Sequence, residues 1–425
     1  MNRKIGRLMQ LIFVALLATG CQNADTAKKQ EFSKKSPYYF DGPMSREVLE
    51  RYLDKAVTAG YFLVPGTPEN YQFPYREDDI RMLENIGAKF IGRAIYRWAE
   101  ESKLNDPVFL NHAKRLIDRM HAFDPEIIFQ GCLFEHVSAD VDNLIIPAWV
   151  FEAFGLPVEN RTFRLADMTK RLDPDVRSTN MPMINNIETQ MYFYYLARTY
   201  IDIGCEAFHL GCVELIAEDD PELIAYEKFL NMIRGYAKEK ARRRWILLDG
   251  HVRKGGFVKD GRSLLDFNSF PLRIKEVEDG APLEGKLEAG YYDAIYCRSM
   301  GGISPSGWYA ESMPYLVEFD NFGMRRNPPA GEAVLTDHFI WGYDDITWFA
   351  LKSEEERNAW LWYAFDWLRE NDPNGHLQMC VIRMISHPES GKTLRSYFAN
   401  TKSIACPVGY SQEETIKEIW NTRLK

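Results

Sequence analysis

Carboxylates and imidazoles dominate the chemistry open to this 425-residue chain. Glu135 and His136, Asp167, His209 and Glu214, Asp249 and His251, and Glu318 with Asp320 all lie at the end of short apolar runs, or just beyond them. A carboxylic acid facing a carboxylate can protonate a leaving group while its partner attacks or stabilises the centre left behind. Imidazoles and carboxylates can also converge on a divalent ion, and His136, Asp167, His209, Asp249 and His251 form that alternative set. Nucleophilic serine chemistry has no support, because no G-x-S-x-G is present. No C-x-x-C occurs, so a zinc knuckle or a thioredoxin-like site is also unsupported.

Alternating strand and helix signals position these groups. Residues 44–60 predict a helix, capped by Ser45 and ended by Gly60. Strands are predicted at Ala88–Ile95, Glu126–Phe134, Thr162–Met168, Cys205–Val213, Arg244–Leu248, Tyr315–Phe319 and His376–Ile382. Between them, helical patterns run over Asp106–Phe123, Ala148–Phe154, Ile187–Ile203, Pro221–Arg242 and Ser353–Glu370. Two segments, Leu264–Phe267 and Asp293–Cys297, compete for a sixth strand within the Gly-rich stretch 250–312. Strands that alternate with helices imply an α/β protein with a parallel sheet. Seven such strands and an uncertain eighth fit a (β/α)8 TIM-like barrel with long loops on its C-terminal face, over residues 37–425. An open doubly wound sheet would carry a Gly-rich phosphate loop after its first strand. Here Tyr96-Arg97-Trp98 follows instead, and no cofactor is expected.

In such barrels the active site lies at the C-terminal ends of the strands. The segments VEL at 213–215 and VEFDN at 317–321 resemble the strand-four and strand-seven positions of a large clan of (β/α)8 retaining glycoside hydrolases. The resemblance implies Glu214 as general acid/base and Glu318 as nucleophile. Val213 stands where that clan has asparagine. Asp320 shares a face with Glu318 and is the alternative working carboxylate. A carbohydrate substrate is the implied partner, with Glu135, His136, Asp167, His209, Asp249 and His251 available to bind it. Trp308 and Trp341, each in a loop with turn residues or acids, are candidates to stack on a sugar ring. A metal-dependent barrel hydrolase and a non-catalytic surface glycan-binding protein are the alternatives.

The N-terminus points to export. Arg3, Lys4 and Arg7 precede an apolar run, Leu8–Leu17, broken only by Gln10 and too short for a comfortable membrane span. Ala18-Thr19-Gly20-Cys21 resembles the lipobox of bacterial lipoproteins. That implies a signal peptide over 1–20, lipid attachment at Cys21 and a flexible polar tether over 21–36. Gln22, rather than aspartate, implies outer-membrane delivery in a Gram-negative cell. Losing 1–20 removes three positive charges and takes the net charge from −9 to −12. An acidic chain without a basic run argues against a nucleic-acid partner. Its 46% hydrophobic content excludes a disordered chain. The remaining cysteines mostly sit in apolar runs and are read as buried free thiols. Cys21→Ser is expected to abolish lipid attachment, and detergent phase partition of the expressed protein checks whether it leaves the membrane fraction.

Overall fold

The computed structural model describes residues 33–66, 75–169, 180–269, 271–277, 284–288, 298–321, 344–385 and 395–424. The segment from Lys35 onward forms one unit. Among the described residues its centre is a curled sheet of ten strands. In chain order these are β1 (Ala56–Ala59), β2 (Phe90–Ile95), β3 (Ile128–Cys132), β4 (Ala207–Cys212), β5 (Leu247–His251), β6 (Asn268–Ser269), β7 (Tyr315–Val317), β8 (Gly375–Leu377), β9 (Met379–Ile385) and β10 (Arg395–Phe398). Neighbours run β8-β7-β6-β5-β4-β3-β2-β1-β9-β10. All these pairings are parallel except β9 with β10. Gln378 alone separates β8, paired to β7, from β9, paired to β1.

Helices cross over between the strands. They are α1 (Arg46–Asp54), α2 (Arg76–Ile86), α3 (Pro107–Phe123), α4 (Ala148–Ala153), α5 (Ile187–Ile203), α6 (Val213–Ile216), α7 (Ile224–Lys240), α8 (Asp345–Leu351), α9 (Glu354–Asn371) and α10 (Glu413–Arg423). Local sequence sets their ends. Ser45 accepts a hydrogen bond from Val48 N at the start of α1, and Asp106 does the same for Val108 N ahead of Pro107 in α3. Ser353 and Glu356 close a reciprocal capping box on α9. Gly204 ends α5 at φ 110°, a backbone conformation that other residues rarely adopt. Packed between helices and strands, the sheet is covered on both sides, so β1, β2, β3 and β5 are buried along their whole length.

The sheet differs from the sequence expectation in instructive places. The first strand, Ala56–Ala59, lies inside the segment expected as one helix, because α1 stops at Asp54 and the chain turns directly into the sheet. Thr162–Met168 is not a sheet strand. It holds one isolated bridge, Ile145 to Thr162, and a 3-10 turn over Leu165–Asp167. These two departures cancel, so Ala207–Cys212 is still fourth in order. β5 begins three residues later than expected, which draws Asp249 and His251 into the strand. The sixth strand is Asn268–Ser269, just past the Leu264–Phe267 candidate, whereas Asp293–Cys297 lies outside the described residues. Between β5 and β7 the described residues form no helix. They build a small four-stranded sheet from Val258–Lys259, Arg262–Ser263, Gly302–Ile303 and Tyr309–Ala310.

Cys132, Cys205, Cys380 and Cys406 are buried free thiols, Cys212 is a half-buried one, and Cys297 falls outside the described residues. Among the described residues no helix is long and apolar enough to cross a membrane.

The inside of the sheet is apolar at the N-terminal ends of the strands. Phe90, Ile128, Ala207, Leu247, Phe267 and Leu316 form one cluster with Phe40, Tyr52 and Leu53, closing that end. A buried charge network braces the same end. Glu206 accepts hydrogen bonds from Arg242 at 2.7 Å and from Arg243 at 2.9 and 2.7 Å. Arg243 also donates to the Tyr52 hydroxyl at 2.7 Å and stacks 4.0 Å from the Phe40 ring. Burial pushes the Glu206 carboxyl up, and the two guanidiniums more than offset this, lowering it to about 2. A carboxyl depressed on folding stabilises the fold above its ordinary range, here by about 3 kcal/mol, and loses that contribution as pH falls towards 2. Glu206→Gln removes the carboxylate that both buried guanidiniums bond. It is expected to cost about 3–5 kcal/mol at pH 7. Urea unfolding at pH 7 and pH 3 checks this, with the deficit shrinking at the lower pH.

Candidate functional site

The sheet interior becomes polar towards the C-terminal strand ends. The first polar layer is built by Gln130 on β3, His209 on β4, Asp249 on β5 and Ser269 on β6. Gln130 Nε2 donates to Asp249 Oδ1 at 2.5 Å, Ser269 Oγ to Oδ2 at 2.9 Å, and His209 Nδ1 lies 2.7 Å from Oδ2. Gly92 makes room for this layer, since a β-carbon there would run into the Gln378 amide. Burial, then the charge of Glu318, raise Asp249 to about 8. Burial, then Arg93 and His251, push His209 well below its ordinary value. Both members of the pair are therefore driven to their neutral forms. His209 Nδ1 and Asp249 Oδ2 share one hydrogen bond, and the other ring nitrogen, Nε2, points away from it. That Nε2 is buried and has no partner among the described residues.

Arg93 organises the next layer. Alternation along β2 would turn Gly92 and Ala94 to one face and Arg93 to the other. Instead Arg93 has φ 54°, and the β2–β3 register breaks between Ile91 and Ile95. Its amide leaves the ladder and donates to Gln130 Oε1 at 2.9 Å. Its guanidinium turns inward, pairs with Glu318, and reaches Asp320 Oδ1 at 3.2 Å and His251 Nε2 at 2.9 Å. Arg383 on β9 adds a second contact to Asp320 Oδ1 at 3.1 Å and one to Asn321 at 2.8 Å. Burial raises both carboxyls, but Arg93 and then His251 more than reverse it, so Glu318 and Asp320 are held ionised. Two arginines and two carboxylates thus share one buried, neutral cluster. Both guanidinium bonds to Asp320 fall on Oδ1, so Oδ2 stands outside them.

Two further carboxylates border this cluster. Glu135 accepts a hydrogen bond from Cys212 N at 3.1 Å and lies 3.6 Å from His136 Nε2. A β-carbon at Gly211, which has φ 60°, would collide with the Glu135 carboxylate. Cys212 Sγ is 3.8 Å from His251 Nδ1, and His251 Nε2 is 3.9 Å from Glu318, so Glu135 and Glu318 are linked through two residues. Burial, then the surrounding carboxylates, raise Cys212 far above its ordinary value, so it is a thiol and not a nucleophilic thiolate. Glu214, in the first turn of α6, spends both oxygens on backbone amides, Arg253 N at 3.1 Å and Lys254 N at 3.0 Å. There it anchors the turn after β5.

The structure therefore joins Glu135, His136, His209, Asp249, His251, Glu318 and Asp320, which come from four strands and the loops after them. It does not join Asp167, which is exposed in its 3-10 turn and 3.7 Å from Arg164. Nor does it join Trp308. Its Nε1 donates to Met44 O at 3.0 Å, and its ring packs on the apolar cluster at the N-terminal strand ends, opposite the polar layers. Trp341 and Cys21 lie outside the described residues. Sequence reasoning missed Arg93 and Gln130, although each is a lone polar residue inside a buried apolar run. Such a residue must find a buried partner.

His209, His251 and Glu318 each bring a ligand-type atom within 4.8 Å of the others, the spacing of a metal triad. The Arg93 guanidinium already bonds two of the three. A divalent ion would have to share the site with that positive charge, so the donor set suits a guanidinium better than a metal.

No family model matches the chain, and no curated protein matches it. Among solved structures it is similar to a debranching enzyme from Nostoc punctiforme, at 13% identity over 54% of this chain and 53% of that one, with TM-score 0.33. It is similar to a GH2 beta-galacturonidase from Eisenbergiella tayi at 13% identity, over 87% and 51%, with TM-score 0.40. It is also similar to a cyclic alpha-maltosyl-(1→6)-maltose hydrolase from Arthrobacter globiformis at 12% identity, over 51% and 55%, with TM-score 0.33. The chain spans about half the length of each. At these TM-scores the likenesses are distant, and the chemistry rests on the side chains alone. Arg93→Met removes the central cation, strips Glu318 of its guanidinium and leaves Asp320 with Arg383 alone. It is expected to lower stability by about 3–5 kcal/mol at pH 7 and by less at pH 4, where the bared carboxyls take up protons. Thermal unfolding at the two pH values checks the difference.

Proposed function

We propose that this protein is a glycoside hydrolase whose site lies at the C-terminal ends of the sheet strands. One observation carries the reading: Asp320 is held ionised with two arginines bound to the same oxygen, and a separate carboxyl, Glu135, is linked to that cluster through Cys212 and His251. Breaking a glycosidic bond takes one carboxylate to attack or to activate water, and one carboxylic acid to protonate the leaving oxygen. Asp320 Oδ2 supplies the first, with Glu318 adding negative charge behind it. Glu135 supplies the proton in preference to Glu214, whose oxygens are both engaged with amides. The neutral Asp249–His209 pair fixes the floor of the site without adding charge.

The parallel pairing from β1 round to β8, with β9 returning to β1 across Gln378, supports reading the sheet as a (β/α)8 barrel. The reading includes a lipid anchor at Cys21, which would hold the enzyme at the outer membrane. A metal-dependent hydrolase is the second reading, favoured by the His209–His251–Glu318 spacing alone.

The test is turnover by the full chain in detergent on a panel of poly- and oligosaccharides, with and without a chelator. Turnover is expected to survive the chelator and to fall at least about a hundredfold in both Asp320→Asn and Glu135→Gln. Full activity in Asp320→Asn would overturn the assignment, and activity lost to the chelator would favour the metal reading.

A further inference from the structure

The sugar-stacking role that the sequence offers to Trp308 has a better placed candidate. Trp98 follows the C-terminal end of β2 and is 40% exposed, large for an aromatic ring beside a polar site. It does not stand alone. Its ring centroid lies 5.4 Å from Phe134 and 5.0 Å from His136, and Phe134 is 5.0 Å from Tyr96. His136 in turn is beside Glu135, the proposed proton donor. Behind the rings that Trp98 packs on, Phe134 and His136, is a small cavity of about 10 Å³, room for one water or one hydroxyl group. Tyr96, Cys132, Phe134, His136 and Tyr200 line it. Tyr200 is wholly buried, and its hydroxyl has no partner among the described residues. A phenol stripped of water with nothing to bond is costly unless a ligand or a water completes it.

We infer that Trp98 is the stacking platform of a pyranose subsite, and that the Tyr200 hydroxyl binds one hydroxyl of the sugar held there. The C–H face of a pyranose covers the exposed indole, while an edge hydroxyl enters the cavity and satisfies Tyr200. The subsite sits next to Glu135, where a ring flanking the scissile bond would lie. The inference rests on the glycoside hydrolase reading for the reaction but not for the binding.

Starch, xylan, mixed-linkage β-glucan and polygalacturonate serve as probes. Retardation of the full chain in affinity gels and quenching of its tryptophan fluorescence measure binding, and release of reducing ends measures turnover. With whichever polysaccharide retards the wild type, Trp98→Ala is expected to weaken binding about tenfold or more. Trp98→Phe recovers most of it, and Tyr200→Phe weakens it about threefold to tenfold. Melting curves exclude unfolding as the cause, and the conservative Tyr200→Phe carries the test if Trp98→Ala does not fold. Wild-type turnover with binding unchanged in Trp98→Ala overturns the subsite and leaves the hydrolase reading standing. Binding lost in Trp98→Ala, with no turnover by the wild type, supports the subsite and overturns the hydrolase reading. A wild type that neither binds nor cleaves any probe overturns both.

Discussion

The structure of the site depends on burying charge in balance. Arg93 and Arg383 face Glu318 and Asp320 where water is nearly absent, and removing any one of the four leaves the cluster with an unbalanced charge. Transfer of an unpaired charge to such a place costs several kcal/mol, so each guanidinium must be aimed with care. The aim begins in the backbone. A left-handed residue at position 93 reverses the alternation of β2, and Gly92 beside it leaves space for the amides of Gln130 and Gln378. Backbone strain at Arg93 is thus tied directly to the charge it delivers.

The two ends of the strands do different work. Apolar residues from six strands close the N-terminal end, and the Glu206–Arg242–Arg243 network locks α1 and the start of β4 to it. Rigidity there supports polar layers that become more charged with each step along the strands. The Asp249–His209 layer is neutral, the Arg93 layer is charged and paired, and Glu135 lies at the border of both. A carboxylate such as Asp320 can be kept ionised in this setting because its counter-charges are fixed beforehand, not recruited when substrate arrives.

The histidines illustrate how the same residues serve different chemistry according to their neighbours. His209 and His251 with Glu318 have the spacing of metal ligands. Arg93 changes that meaning by placing a fixed positive charge among them. Cys212 and His251 have the composition of a nucleophilic pair, yet burial and nearby carboxylates keep the sulfur protonated. Residue type alone would admit all three readings.

Much of the frame was legible in the sequence. Strong 3.6-residue patterns, caps such as Asp106-Pro107 and buried apolar runs determined α3, α5, α9 and the strands β2, β3, β4 and β7, because those signals are local. The grouping of His209, Asp249, His251, Glu318 and Asp320 followed once parallel strands were assumed to share one end. The four-residue β1 was not legible, since it follows α1 without a break in apolar pattern and is specified only by pairing with β2 and β9. Nor was the end of the sheet on which Trp308 would fall, because a long excursion between β6 and β7 returns it to Met44. Tertiary structure alone decided which carboxylates face arginines, which face amides and which are neutral. Those states depend on distance and burial, and residues far apart in the chain, such as Arg93 and Glu318, set both.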